Sequence, residues 1–285
     1  MEESAADLDG FTVQVGRLLA DGGSEAFFTA HGPLGALAAS GWAAEHVRHL
    51  LESVCGRPEE NVPGMSDGGL AVAQGEGWLL TLRTGAPASA EGTLVSAVGH
   101  CLIAPVGPIP ARVEIYARPV HERADALDGR ALTPLGVHAV ARGQVLAVDA
   151  GRHLAVFEDP NALCPHLLLT GPPVVPYRLA YDRATLCPVQ VSSADLRATR
   201  LTYAIRFLAA TGRPSSVPRL VELSRHEQHQ VRWEAIRALH RVDRKAGTAR
   251  LREAALGDQH PEIRATAATA LGQVRAPAPR PVWAR

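Results

Sequence analysis

The sequence predicts an α+β protein of more than one domain, in which an antiparallel β-sandwich stands between N-terminal helices and a C-terminal array of paired helices. Three observations predict it: an apolar period near 3.6 before residue 56, a crowd of short strand-like runs from about 66 to 192, and an internal repeat after residue 193. The boundaries that follow are 1–60 for the helical segment, 61–192 for the β-region, 193–275 for the repeats and 276–285 for an extended, proline-rich tail.

The helical segment is legible as FTVQVGRLLA, EAFFTAHGPLGALAAS and WAAEHVRHLLESV, separated by the breakers DGG and SG. In the third, Trp42, Val47, Leu50, Leu51 and Val54 form one apolar stripe. His46 and His49 sit one turn apart on that helix, but no carboxylate or cysteine at ligand spacing completes a set, so they read as polar-edge residues.

The β-region is a succession of runs such as GWLLTLRT, GTLVSAVGH, ARVEIYARP, GVHAVAR, QVLAVDA, HLAVFE and HLLLTG, broken by Gly, Pro and Asp. Many short strands at close spacing argue for a sandwich or barrel. In ARVEIYARP, Val113, Ile115 and Ala117 alternate with Arg112, Glu114, Tyr116 and Arg118, so one face is apolar and the other polar.

The last region begins with SADLRATRLTYAIRFLAATG, whose terminal Gly212 suits a helix C-cap. Aligning Arg232 with Arg264, a register of 32 residues, superposes Val231 on Ile263, Ala235 on Ala267, Ala238 on Ala270 and Leu239 on Leu271. Each copy follows another apolar helix, SVPRLVELS or TARLREAAL, which indicates an α-solenoid. His229, Val231, Arg232, Ala235, Ala238 and Leu239 resemble a HEAT-type repeat.

Within GVHAVARGQVLAVDAGRH, Gly143, Asp149 and Gly151 resemble the second conserved motif of cupins, which implies a jelly roll and a β-turn-β unit. Two departures stand out. Asp149 replaces a proline, and His153 falls one residue before the ligand position, which sends a strand side chain to the opposite face. The resemblance implies Fe(II) or another divalent transition metal, held by two histidines and one carboxylate. The substitutes for a missing first motif are His100, Glu114 and one of His121, His138 or His153. Tyr116 and Arg118 are the candidate catalytic residues, with Arg178, Tyr181 and Asp182 as further pocket candidates. Asp182 followed by Thr185 reads instead as an Asx-type turn.

Charge and motifs restrict the function. Lys plus Arg and Asp plus Glu are equal at 29 each, so no global field draws the chain to nucleic acid or an anionic membrane. G-x-S-x-G, GxGxxG and the P-loop pattern do not occur. The four cysteines lack C-x2-C pairing, and the acidic N-terminus has no signal-like apolar core, so the expected compartment is the cytoplasm, of a bacterium by the GC-type residue bias. The expected function is a small-molecule biosynthetic enzyme, an iron-dependent oxygenase acting in the cupin-like barrel. The alternative is a non-catalytic interaction or ligand-binding module that holds a protein partner on the HEAT-like surface, with His229, Arg232 and Arg264 as the binding face.

Overall fold

The computed structural model describes residues 7–20, 25–56, 65–66, 69–85, 92–120, 129–159 and 163–275. The chain divides into two compact units, one ending at Ala194 and one beginning at Asp195. The helical segment and the β-region, which the sequence reading separates, belong to the same unit. The reason is burial: the apolar stripes of the helices have no core of their own and close over a sheet.

In the first unit, α1 (Leu8–Ala20), a 3-10 turn (Ala26–Ala30), α2 (His31–Ser40) and α3 (Trp42–Gly56) precede the strands. These are β1 (Met65–Ser66), β2 (Gly69–Gly75), β3 (Trp78–Arg83), β4 (Thr93–Val95), β5 (Gly99–Pro105), β6 (Ala111–Ala117), β7 (Thr133–Val140), β8 (Leu146–Val148), β9 (His153–Phe157), β10 (His166–Pro173), β11 (Tyr177–Asp182) and β12 (Pro188–Ser193). A six-stranded sheet runs β1-β2-β3-β10-β5-β8, and two three-stranded sheets run β7-β6-β9 and β12-β11-β4. The strand pairs are antiparallel throughout the described residues.

Strand alternation sorts the side chains into layers. Leu80, Leu82, Leu102, Ala104, Leu167 and Leu169 face Phe11, Val15, Phe27, Leu34 and Leu37 of the helical layer. The intervening residues Cys101 and Ile103, with Val148, face Val113, Ile115 and Phe157 of the β7-β6-β9 sheet. With both faces covered, β5 is buried along its whole length, which is why GHCLIAP reads as a continuous apolar run. The far face of β6 and β9 offers Tyr116 and Leu154 to Leu94, Leu179 and Tyr181 of the third sheet.

The stretch Gly136–His153 is not a two-stranded hairpin. It contributes the end of β7, then β8, then the start of β9. β7 and β9 flank β6 on either side, whereas β8 leaves that sheet to pair with β5. Gly143 takes the left-handed conformation, φ 80°, in the first turn. The second turn is closed by Asp149, whose carboxylate accepts the Gly151 N–H at 2.8 Å.

The second unit is helical: α4 (Leu196–Thr211), α5 (Val217–Leu223), α6 (His229–Val242), α7 (Arg244–Gly257) and α8 (Pro261–Arg275). Asp195 caps α4 by accepting the Arg197 N–H, and Gly212 ends it with φ 61°. Two of the aligned repeat pairs are buried in both copies. Val231 and Ile263 are both buried, as are Ala235 and Ala267. They serve two adjoining cores, one around Ile205, Leu220 and Leu239 and one around Ile236, Leu251 and Ala267.

Candidate functional site

The β-region disperses the expected metal ligands. His100 on β5 alternates with Cys101, so it points with Leu102 into the layer covered by the helices. There its ring lies against Phe28 and Phe27, with centroids 4.7 and 6.1 Å away. Its Nδ1 accepts the Ala150 N–H at 3.3 Å, with the Asp149 carboxylate 3.5 Å from the same nitrogen. That contact ties β5 to the turn before β9, a structural task for a buried imidazole.

Glu114 lies two layers away, on the opposite face of β6. Both of its oxygens are held by Arg183 Nη2, at 3.0 and 2.8 Å, and one also accepts the Tyr116 hydroxyl at 2.8 Å. Burial raises the Tyr116 hydroxyl above its ordinary range, reinforced by its hydrogen bond to Glu114 and by that carboxylate's charge, against the opposing charge of Arg183. The phenol therefore stays protonated and donates to Glu114. That bond lies within β6, and it is Arg183, the residue after β11, that joins Glu114 to the third sheet.

Register separates the remaining histidines from Glu114. His138 pairs with Val113 and His153 with Ala117, so both side chains leave the sheet on the Val113 face. His138 is exposed on β7 and lines an open groove of about 530 Å³ with His31 and Gln144. His121 lies outside the described residues. Among the described residues no three His, Cys, Asp or Glu side chains gather where a metal ion could be held. His100, Glu114, His138 and His153 thus do not fit the two-histidine, one-carboxylate set.

Arg118 is likewise engaged. Its guanidinium donates to the Ala150 carbonyl and its backbone N–H to Arg152, which binds β6 to the turn that precedes β9. Tyr181 is fully buried and Arg178 is exposed, so the expected pocket does not converge. Asp182 accepts the backbone N–H and the hydroxyl of Thr185 at 2.7 and 2.8 Å, the Asx-type turn its sequence suggests.

The helical unit shows why the repeat carries its arginine. Arg232 Nη1 donates to the carbonyls of His226 and Glu227, at 2.9 and 2.7 Å, while Nε and Nη2 grip both oxygens of Asp258 at 3.0 and 2.7 Å. Thirty-two positions on, Arg264 Nη1 donates to the carbonyls of Asp258 and Gln259, the residues that correspond to His226 and Glu227. Each arginine closes the loop before its own helix, and Arg232 also ties one repeat to the next. Asp258 returns the favour by capping the His260 N–H at 2.8 Å. Burial pushes the Asp258 carboxyl up, but its hydrogen bonds from Arg232 and His260 and the Arg232 charge outweigh that and hold it below the ordinary carboxylate range. His229 stacks on the buried His260, ring centroids 3.9 Å apart. Arg232 is therefore buried and internal to the array, which removes it from the expected binding face.

An apolar surface that the sequence reading did not single out lies on α4. Tyr203 and Phe207, one turn apart, are 67% and 69% exposed, while Ala198, Ile205 and Ala209 fill the core on the other side. The signal was present in TRLTYAIRFLAAT: the rings stand about 200° around the helix from Ile205, outside its core stripe. The two rings therefore stand together on the side of α4 that faces away from its core.

Residues 193–272 match the family model of HEAT repeats, in agreement with the repeat found in the sequence and with the helices observed there. No curated protein was found to match the chain. Among the described residues no helix is long and apolar enough to cross a membrane.

Proposed function

We propose that the chain is an interaction protein whose helical unit, a short α-solenoid, holds a partner protein. The observation that carries this reading is the match of residues 193–272 to HEAT repeats, helices that expose a continuous side to partners. Free thiols at all four cysteines favour a cytoplasmic setting. The β-region then serves as a rigid companion unit or binds a small molecule in its own right.

The reading as an Fe(II)-dependent cupin oxygenase draws less support. It needs a jelly roll with His100 and Glu114 around one ion, and these side chains point away from each other across an apolar layer. The deciding experiment is hydrogen exchange on the full chain bound to a partner isolated at near-stoichiometric ratio. Protection is expected in 195–275. A partner that protects only the β-region, or stoichiometric ferrous iron lost in His100→Ala, overturns the proposal.

A further inference from the structure

We infer that the outer face of α4 docks an acidic amphipathic helix of the partner. The inference rests on the interaction reading of the helical unit and adds the surface and the chemistry it selects. Arg200, Tyr203 and Phe207 follow one another at i, i+3 and i+7, the spacing by which one helix anchors another. All three are exposed. Tyr203 has a partner that orients it: Arg206 lies over its ring, 5.9 Å from the centroid, and is itself paired with Glu234 at 3.2 Å.

Charge identifies the occupant. α4 carries Arg197, Arg200 and Arg206 and no acidic residue. Arg206 has the Glu234 carboxylate and Arg197 lies in the field of Asp195, whereas Arg200 has no ion pair among the described residues. The uncompensated Arg200 beside two exposed rings, in a unit where Lys plus Arg outnumber Asp plus Glu by 17 to 8 from Asp195 onward, matches a helix that presents carboxylates alongside aliphatic anchors. A phosphate backbone would also meet arginines, but the stripe places only Arg200 unpaired near the rings, and both rings lie on a helix rather than along an open cationic groove.

The test uses the full chain and labelled probes: an amphipathic Leu/Glu helical peptide, its Leu/Lys counterpart and a single-stranded oligonucleotide, followed by fluorescence anisotropy. The Leu/Glu peptide is expected to bind, and the double variant Tyr203→Ser, Phe207→Ser to weaken it about tenfold or more while leaving the melting temperature unchanged. Arg200→Ala should weaken it and flatten its salt dependence. No binding, equal binding of the Leu/Lys peptide, or binding unchanged in the double variant overturns the inference. Preference for the oligonucleotide overturns it in favour of a nucleic-acid surface. If a captured partner still protects 195–275 in the double variant, only the α4 assignment falls; if no partner engages the helical unit, the interaction reading falls with it.

Discussion

Arg232→Ala tests the logic of the repeat. The Arg232 and Asp258 side chains are 9% and 4% exposed, so the substitution leaves a carboxylate in the array without its counter-charge. It also strips two carbonyls, those of His226 and Glu227, of their donor. Breaking a buried pair from one side costs about 3–5 kcal/mol, far more than a surface pair would. Native-state hydrogen exchange reads this locally: amides of α6 to α8 that open with the array should exchange about a hundredfold faster or more. Arg232→Met combined with Asp258→Leu should recover most of the loss, short of the cap that Asp258 gives the His260 N–H. The pH dependence has a definite sign. Because the folded Asp258 carboxyl is held below its unfolded value, its contribution is present above about pH 4 and fades as pH falls through the folded value. The gap between wild type and Arg232→Ala should therefore narrow on strong acidification. Exchange rates that match wild type within threefold at neutral pH would refute the reasoning.

Other perturbations probe both units. A Cβ on Gly247 would stand 2.2 Å from His240 Cα and 2.5 Å from its backbone nitrogen, so Gly247→Ala must spread α6 from α7; a net loss of about 1–3 kcal/mol is expected despite better helix propensity, and a raised melting temperature would contradict it. His166 is buried against Phe157, and burial chiefly lowers its basicity, with the Arg83 charge adding to this against the Cys164 carbonyl. The unfolded imidazole thus takes its proton first, so urea denaturation should show stability falling below about pH 6.5 by up to about 1.4 kcal/mol per pH unit, a slope that His166→Met reduces and that a parallel variant profile would refute. Burial pushes the Cys101 thiol up to about 12, whereas Cys55 is exposed; a thiol reagent at pH 8 should modify Cys55 in the native protein and Cys101 only after unfolding, and early labelling of Cys101 would show that its layer opens.

Local signals carried much of the architecture. Val231 and Ile263, or Ala235 and Ala267, are apolar for the same reason and buried in the same way, so the repeat was visible as a pattern within adjacent turns of chain. The clean alternation of ARVEIYARP likewise became β6, with Val113 and Ile115 in one core and Tyr116 in another. What was not legible was partnership. GVHAVARGQVLAVDAGRH announces strands and turns, but that β8 crosses to β5 while β7 and β9 enclose β6 depends on residues about twenty to nearly fifty positions away.

The sequence by itself determined which segments are helices, which are strands, where Gly212 ends α4 and that an arginine recurs in the repeat. Those follow from short-range periodicity and steric preference. Only the tertiary structure decided that the N-terminal helices share a core with the six-stranded sheet, that Glu114 pairs with Arg183, that Arg232 is buried on Asp258, and that Tyr203 and Phe207 remain outside. Such outcomes depend on which distant side chains supply an opposite charge, a hydrogen-bond donor or an apolar surface, and those neighbours exist only once the chain is folded.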